Sequence, residues 1–409
     1  MAAVCLLFGW YFVKWNFATL IAYRLDPANP QMRSIAEWLV TIAPSDPQTH
    51  VIYAAFLEKT FDPKDNERSL DEYATAARLA PDNYIMWLEL GKALDRHGDP
   101  ESSDAAFDRA LSLAPNYSDV QWVVGNAYVR HKQSDKGFAL IGKAATGSAD
   151  YASAGASLAF QLYDEDPATV RKYLGDVPSV NTALANILIS RKRYDDALTA
   201  WRQVPVDLRR SDIETSNAFV MLLIGAKQIR SAAIAAADLA ETDDMRPAVG
   251  RILNGGFESG IKLKNAGPFE WHIAEGTQPQ IGLSDSQKHS GQYGLLLNFS
   301  SFETVGFRQV DQTVPVEGNK SYQFEAFYKA EMKTAAAFRW EVVDVSTGTV
   351  IGKTPDLVNA ADWAPLSFKF TVPANADGVM VRLVREGCYG PICPCNGRMV
   401  FDDVSLRQE

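Results

Sequence analysis

Apolar and polar residues along this chain follow two different rhythms. Up to about residue 245 the apolar positions recur at helical spacing, as in "NYIMWLELGKALDRHGDPESSDAAFDRALSLAPNY", which reads as two amphipathic helices joined by a short turn. At about 250 the rhythm becomes an alternation, and Gly, Ser, Phe and Trp replace Ala and Leu. Strand-like runs then follow at roughly ten-residue spacing: "YGLLLNF", "GFRQVDQTVPV", "SYQFEAFYKA", "AFRWEVVDV", "LSFKFTV", "GVMVRLV" and "MVFDDVSL". Turn signals such as "VEGNKS", "STGT" and "PANADG" separate them, so the pattern predicts an antiparallel β-sandwich behind a helical region. The expected division is a helical part at 25–248 and a β part at 249–409.

The helical part carries an internal period of 34 residues: Tyr73 aligns with Phe107, Ala76 with Ala110, Pro81 with Pro115 and Tyr53 with Trp87. One period onward, Gly125 follows Gly91 and Ala144 follows Ala110. The logic is that of a stacked hairpin, in which a bulky ring fills the groove, Gly and Ala allow close approach, and Pro ends the second helix. Residues 84–117, with Trp87, Leu90, Gly91, Phe107, Ala110 and Pro115, resemble a tetratricopeptide repeat. An irregular unit is expected near 152–177, after which Ala185, Ala197, Trp201 and Pro205 resume the array and "SNAFVMLLIGAKQIRSAAIAAADLAE" closes it. The expectation is an α-solenoid whose groove binds a protein partner. His97 and His131 fall in turns and are expected to be solvated.

Residues 1–24 form a further segment. "AAVCLLFGWYFVKWNFATLIAY" is apolar apart from Lys14, Asn16 and Thr19, and about 20 such residues span a bilayer, so a membrane helix is expected here; the competing reading, favoured by the cost of Lys14 in lipid, is a buried or interfacial helix. It lacks the basic start and the small-residue cut site of a signal peptide. Arg24 and Arg33 argue by the positive-inside rule for a cytoplasmic bulk. The cysteines discussed below argue for the opposite side.

Within the β part, "NGGFESG" at 254–260, Trp271, "HSGQYGLLL" at 289–297, "QVDQTVPVEGNKSYQFEAFYKA" at 309–330 and "FDDVSL" at 401–406 occur in that order. Together they resemble a carbohydrate-binding module of the jelly-roll type. That resemblance implies a structural calcium on Glu258 and Asp402, with Asn254, Lys288 or Asp285 contributing; the competing reading is that the acids only cap turns and face water. It also implies a polysaccharide site, which needs an aromatic face for sugar C–H groups and polar partners for hydroxyls. In "FRWEVV", Phe338 and Trp340 share one sheet face and Arg339 and Glu341 the other. Trp340 and then Tyr328 are the candidate aromatic platforms, with Arg308, Gln309 and Arg382 as hydroxyl partners. Trp271 and Trp363 are expected in the core.

Three of the four cysteines cluster as Cys388-x4-Cys393-x-Cys395. The spacing lacks paired C-x2-C ligands and a nearby histidine, which disfavours zinc. The expected structure is a loop between the last two strands, closed by a disulfide from Cys388 to Cys393 or Cys395, with Tyr389 at its tip touching a ligand. A disulfide places the domain outside the cytoplasm.

A formal charge of −10 offers no basic face, so nucleic acid is not an expected partner. Neither a nucleophile–base pair, a phosphate loop nor HExxH is visible, so no catalysis is expected. The sequence reading is therefore a membrane-anchored, extracytoplasmic scaffold with no enzyme activity. Its solenoid binds a protein and its sandwich a polysaccharide, as in accessory components of cell-surface polysaccharide assembly or export. The alternative is a structural subunit in which both domains bind proteins.

Overall fold

The structure, a computed structural model, describes residues 2–303, 306–387 and 392–409. Two compact units are present, Met1–Leu184 and Ala185–Glu409.

The first unit is helical: α1 (Ala2–Ala22), α2 (Arg33–Ile42), α3 (Pro47–Glu58), α4 (Pro63–Leu79), α5 (Tyr84–Arg96), α6 (Pro100–Leu113), α7 (Ser118–Arg130), α8 (Ser134–Gly147), α9 (Ala149–Leu162) and α10 (Pro167–Leu174). Aspartates start several of these helices. Asp46, Asp62, Asp99 and Asp166 each accept backbone N–H bonds as N-caps, and each is followed by Pro at the first helical position. Helices adjacent in sequence pack on one another, α3 on α4, α5 on α6 and α7 on α8, as in a helical-repeat array.

The repeat is real, with one shift. Gly91 is needed because a Cβ there would lie 2.5 Å from the Phe107 ring, and one period later Gly125 meets Ile141 in the same way. Ser69 and Ser103, also 34 apart, donate to Ala54 O and Gly91 O. However, α3 starts at Pro47 and α5 at Tyr84, which is 37 residues, while α4 and α6 end 34 apart at Leu79 and Leu113. The extra three residues lengthen the start of α4. The pairing of Tyr53 with Trp87 is corrected accordingly: His50 takes that place, reaching Pro44 O as Trp87 reaches Pro81 O and Gln121 reaches Pro115 O, always six residues back.

The membrane-helix expectation is not carried by the structure. No helix among the described residues is long and apolar enough to cross a membrane. The end of α1 instead buries Ala18 and Ala22 in a cluster with Ala36, Leu39, Tyr53 and Phe56 of α2 and α3.

His131 is not a solvated turn residue either. Its Nε2 lies 2.9 Å from Asp95 and its Nδ1 2.7 Å from Asp104, with only 9% of the side chain exposed, and Arg130 pairs with the same Asp95. Burial lowers the imidazole pKa, yet the two carboxylates outweigh burial and hold it above its ordinary value. A group raised in this way stabilises fully below the unfolded value and loses that contribution as pH rises through the folded one. Thermal unfolding of the wild type is therefore expected to lose stability relative to His131→Gln as pH rises from about 6 to 8, near the ordinary histidine range. Parallel pH curves for the two proteins would show that His131 is not protonated in the fold.

In the second unit, α11 (Pro178–Ser190) crosses the boundary and is followed by α12 (Tyr194–Gln203), α13 (Val206–Ser211), α14 (Ile213–Gly225) and α15 (Ile229–Ala237). Trp201 stacks on Phe219 at 4.4 Å within this part. Helix α15 is joined to the β part: Arg230 N donates to Asp377 Oδ2 at 2.9 Å, and a Cβ on Gly378 would meet Ile229 at 2.5 Å. The last helical pair and the sandwich thus share packing.

The strands are β1 (His272–Ile273), β2 (Gln280–Ser284), β3 (Gly294–Glu303), β4 (Val310–Pro315), β5 (Ser321–Thr334), β6 (Ala337–Asp344), β7 (Val350–Lys353), β8 (Ala360–Thr371), β9 (Gly378–Glu386) and β10 (Ile392–Gln408). They form two five-stranded sheets, β1-β4-β9-β6-β7 and β2-β3-β10-β5-β8, with antiparallel pairing throughout. Inward-facing Leu295, Leu297, Phe299, Tyr322, Phe324, Trp340, Val379 and Phe401 fill the space between them.

Candidate functional site

The two outer sheet faces and the seam joining the ends of the sandwich carry the polar chemistry of this domain. On the first sheet the register places His272 opposite Asp311, Asp311 opposite Arg382, Arg382 opposite Glu341 and Glu341 opposite Lys353. Because directly opposed residues point to the same face, this is one polar row across all five strands, stepping by about 4.8 Å per strand, in which the charges of Asp311, Arg382, Glu341 and Lys353 alternate. Arg382 Nε and Nη2 donate to Glu341 Oε2 at 3.2 and 2.9 Å. Arg339 Nε donates to Glu341 Oε1 at 3.0 Å and its other nitrogens reach Asp356 and Glu386. Gln309 Nε2 donates to Asp311 Oδ2 at 3.0 Å.

Glu341 and Arg339 are buried, so each charge needs its partner. The Glu386 hydrogen bond, with those of Glu341 and Asp356, raises Arg339 above its usual value despite desolvation; conversely, Arg339 holds Glu386 below the usual carboxylate range. The row is therefore a preorganised set of donors and acceptors.

Of the residues nominated for sugar, Gln309 and Arg382 belong to this face. Arg308 is turned to the backbone, donating to Ala274 O and Pro279 O at 3.1 and 3.3 Å, where it pins a loop. Trp340 and Tyr328 are corrected: both point into the core, at 0% and 4% exposure. Trp340 lies among Trp271, Phe324 and Phe401, and the Tyr328 hydroxyl donates to Val358 O. The pairing of Phe338 with Trp340 on one face of the strand holds, but that face is the inner one. Tyr389 lies outside the described residues.

Trp363, expected in the core, is the aromatic that lies outside. It is half-buried on the outer face of the second sheet, 5.5 Å from the His289 ring, which itself stacks on Phe327 at 3.8 Å. Lys329 Nζ lies 5.5 Å from the Trp363 ring centre. Sequence reasoning missed this cluster, although Phe327, Lys329 and Glu331 share the parity opposite to that of Tyr328 and Ala330 in "FYKAE".

At the seam the acids nominated for calcium come together, apart from Asp285. Asp402 is fully buried and its Oδ2 accepts His289 N and Ser290 N at 2.7 and 3.1 Å, while Oδ1 accepts Asp403 N at 2.8 Å. Glu258 accepts Gln292 N at 2.9 Å and Tyr293 N at 3.2 Å. Asn254 bonds Gly260 O and Ser259 N within its own loop, and Lys288 and Asp285 are exposed. Calcium requires several free hard oxygens. Here the carboxylate oxygens are occupied by N–H donors, and the described residues contain no group of three or more His, Cys, Asp or Glu able to hold a metal. The arrangement does not fit the ion, and we derive no role for it. The opening and closing segments are tied directly instead, with Val404 N donating to Gly255 O at 2.9 Å.

Of the cysteine cluster, Cys388 and the side chain of Cys393 lie outside the described residues. Cys395 is a free, fully buried thiol inside β10, opposite Ser301 and Thr334, rather than part of a loop. A bridge from Cys388 to Cys395 is thereby corrected. Burial pushes the Cys395 thiol pKa up, against a hydrogen bond to Thr334.

No family model matches the chain, and no curated protein matches it. Among solved structures, a CBM4 carbohydrate-binding module is 18% identical over 39% of this chain and 99% of its own, with a TM-score of 0.28. A CBM61 module in complex with beta-1,4-galactotriose is 16% identical over 40% of this chain and 100% of its own, with a TM-score of 0.29. MamA of AMB-1 is 20% identical over 33% of this chain and 70% of its own, with a TM-score of 0.27.

Proposed function

We propose that this protein is a non-catalytic, two-part binding scaffold that works outside the cytoplasm. Its sandwich holds a polysaccharide on the outer face of the first sheet and its helical array docks a protein partner. The observation that carries the sugar reading is the row His272–Asp311–Arg382–Glu341–Lys353, whose side chains are held in register by the strands. Donors and acceptors fixed before binding lose little entropy when a hydroxylated chain lies across them. Arg382 contributes most: two of its nitrogens are held by Glu341, while Nη1 has no partner among the described residues. The stacked pair Trp122–Tyr151, at 4.9 Å, supports the protein-docking role of the helices.

The test is affinity electrophoresis of the full chain through gels containing xylan, mixed-linkage glucan or galactan. Gln309→Ala and Arg382→Ala are expected to weaken retardation by one of these polymers about 10-fold, equivalent to about 1.4 kcal/mol. Unchanged far-ultraviolet spectra would show that the variants remain folded. A folded wild type that no neutral polysaccharide retards would reject this reading and favour a structural subunit whose two parts both bind proteins.

A further inference from the structure

The outer face of the second sheet carries its own polar row. Gln280 lies opposite Asn298, Asn298 opposite Arg398 and Arg398 opposite Glu331, across β2, β3, β10 and β5. One step along, Asn396 lies opposite Lys333, and on the other side Val400 lies opposite Lys329. Two adjoining depressions of about 460 and 380 Å³ follow these rows and share Glu331 and Arg398 as walls. Each falls within the range of about 300–1,000 Å³ typical of ligand sites. The floor beside Lys329 is small and apolar, made by Ala330, Ala360, Ala361 and Val400. Trp363 stands beyond Lys329, wedged by the His289–Phe327 stack.

The charge of this track runs against that of the chain. Its charged lining residues are Lys329, Lys333 and Arg398 against the single carboxylate of Glu331, in a protein of net charge −10. The Arg398–Glu331 pair is 3.2 Å long, and its side chains are 57% and 79% exposed. An exposed pair of this kind contributes about 0–1 kcal/mol, so an incoming carboxylate can take the place of Glu331 on Arg398 at small cost. The Arg382–Glu341 pair of the first sheet differs, because Glu341 is almost fully buried and is held by two arginines.

We infer that this face is a second glycan-binding surface, separate from the first-sheet row, and that it selects acidic polysaccharide. Arg398, Lys333 and Lys329 receive the carboxylates; Lys329 and Lys333 lie four residues apart on β5, about 13 Å, and Arg398 stands between them on the neighbouring β10, opposite Glu331. Asn298 and Asn396 meet hydroxyls, and Trp363 offers its ring to a sugar at the end of the track. Neither the cation set nor Trp363 takes part in the first-sheet site, so the two surfaces fail or succeed independently.

The experiment uses the full chain in affinity gels containing polygalacturonate, with dextran sulfate and galactan in parallel lanes. Polygalacturonate is expected to retard the wild type and to lose most of that effect at about 0.5 M NaCl, where the screening length falls well below 10 Å. The double variant Lys333→Glu/Arg398→Glu is expected to bind at least 10-fold more weakly and Trp363→Ala about 5-fold, while Arg382→Ala runs as the wild type does. The reversed residues are solvent-exposed, and a thermal melt confirms the fold of each variant. Three results would overturn the inference: no retardation by polygalacturonate, retardation that survives the double charge reversal, or equal retardation by dextran sulfate with no effect of Trp363→Ala. Loss of binding in Arg382→Ala alone would assign the acidic polymer to the first sheet and reject the second.

Discussion

Replacing Trp340 by alanine is expected to destabilise the sandwich by about 4 kcal/mol, the usual scale for removing a buried large aromatic. Its side chain is fully buried and contacts the rings of Trp271, Phe324 and Phe401, with centroids 5.4 to 5.9 Å away. The indole Nε1 is buried without a partner among the described residues. Trp340→Phe therefore keeps most of the ring contact and removes an unpaired donor, so its cost is expected to stay near 1 kcal/mol. Chemical denaturation of both variants, with glycan retardation of the folded fraction, separates core from site. A Trp340→Ala protein of wild-type stability that no longer binds sugar would restore Trp340 to the binding surface and contradict the packing described above.

Strand parity explains why the sequence misled here. Alternation shows which residues share a face, and "FRWEVV" does separate Phe338 and Trp340 from Arg339 and Glu341. It does not show which face is covered. In β6 nearly every position is buried, because the outer side is closed by ion pairs rather than by water. Charge alone would have marked Arg339 and Glu341 as the solvent side, which leaves Trp340 inside. In β5 the alternation is clean, and Tyr328 could have been placed inward from its neighbours Phe324 and Ala326. Trp363 shows the reverse error, since the resemblance to the jelly-roll module implied burial while β8, the strand partner of Lys-bearing β5, carries it outside.

The helical half was legible where packing dictates residue type. Gly91 against Phe107 and the alanines at the crossings follow from steric need, so their 34-residue spacing survives in the fold. The three residues added in α4 were not legible, because polar residues on an exposed helix start carry no packing signature. His131 was misread for a related reason: its carboxylate partners, Asp95 and Asp104, come from other helices, and no local pattern announces them. Glu258 and Asp402 lie at one seam, both accepting from backbone N–H groups of the turn at 289–293. What the sequence could not convey is how many backbone N–H groups these carboxylates accept.

That seam supports the remaining prediction. Asp402→Ala is expected to cost about 2 kcal/mol, because it leaves the N–H groups of His289, Ser290 and Asp403 without their acceptor. The loss should appear locally as well, as faster protease cleavage in the turn at 288–293, which Asp402, Asp403 and Glu258 hold against the ends of the domain. Burial pushes the Asp402 carboxyl above the ordinary carboxylate range, against the three N–H donors that pull it down. The folded state therefore keeps this proton at a pH where the unfolded chain has lost it, and stability falls as pH rises through that window above about 4. Asp402→Asn retains an acceptor and cannot ionise, so its thermal midpoint should lack this decline and its cost should be smaller than that of alanine. If Asp402→Asn and the wild type lose stability in parallel between pH 4 and 6, the buried carboxylate is not the group that titrates, and the seam is held by Gly255 and Val404 rather than by the acids.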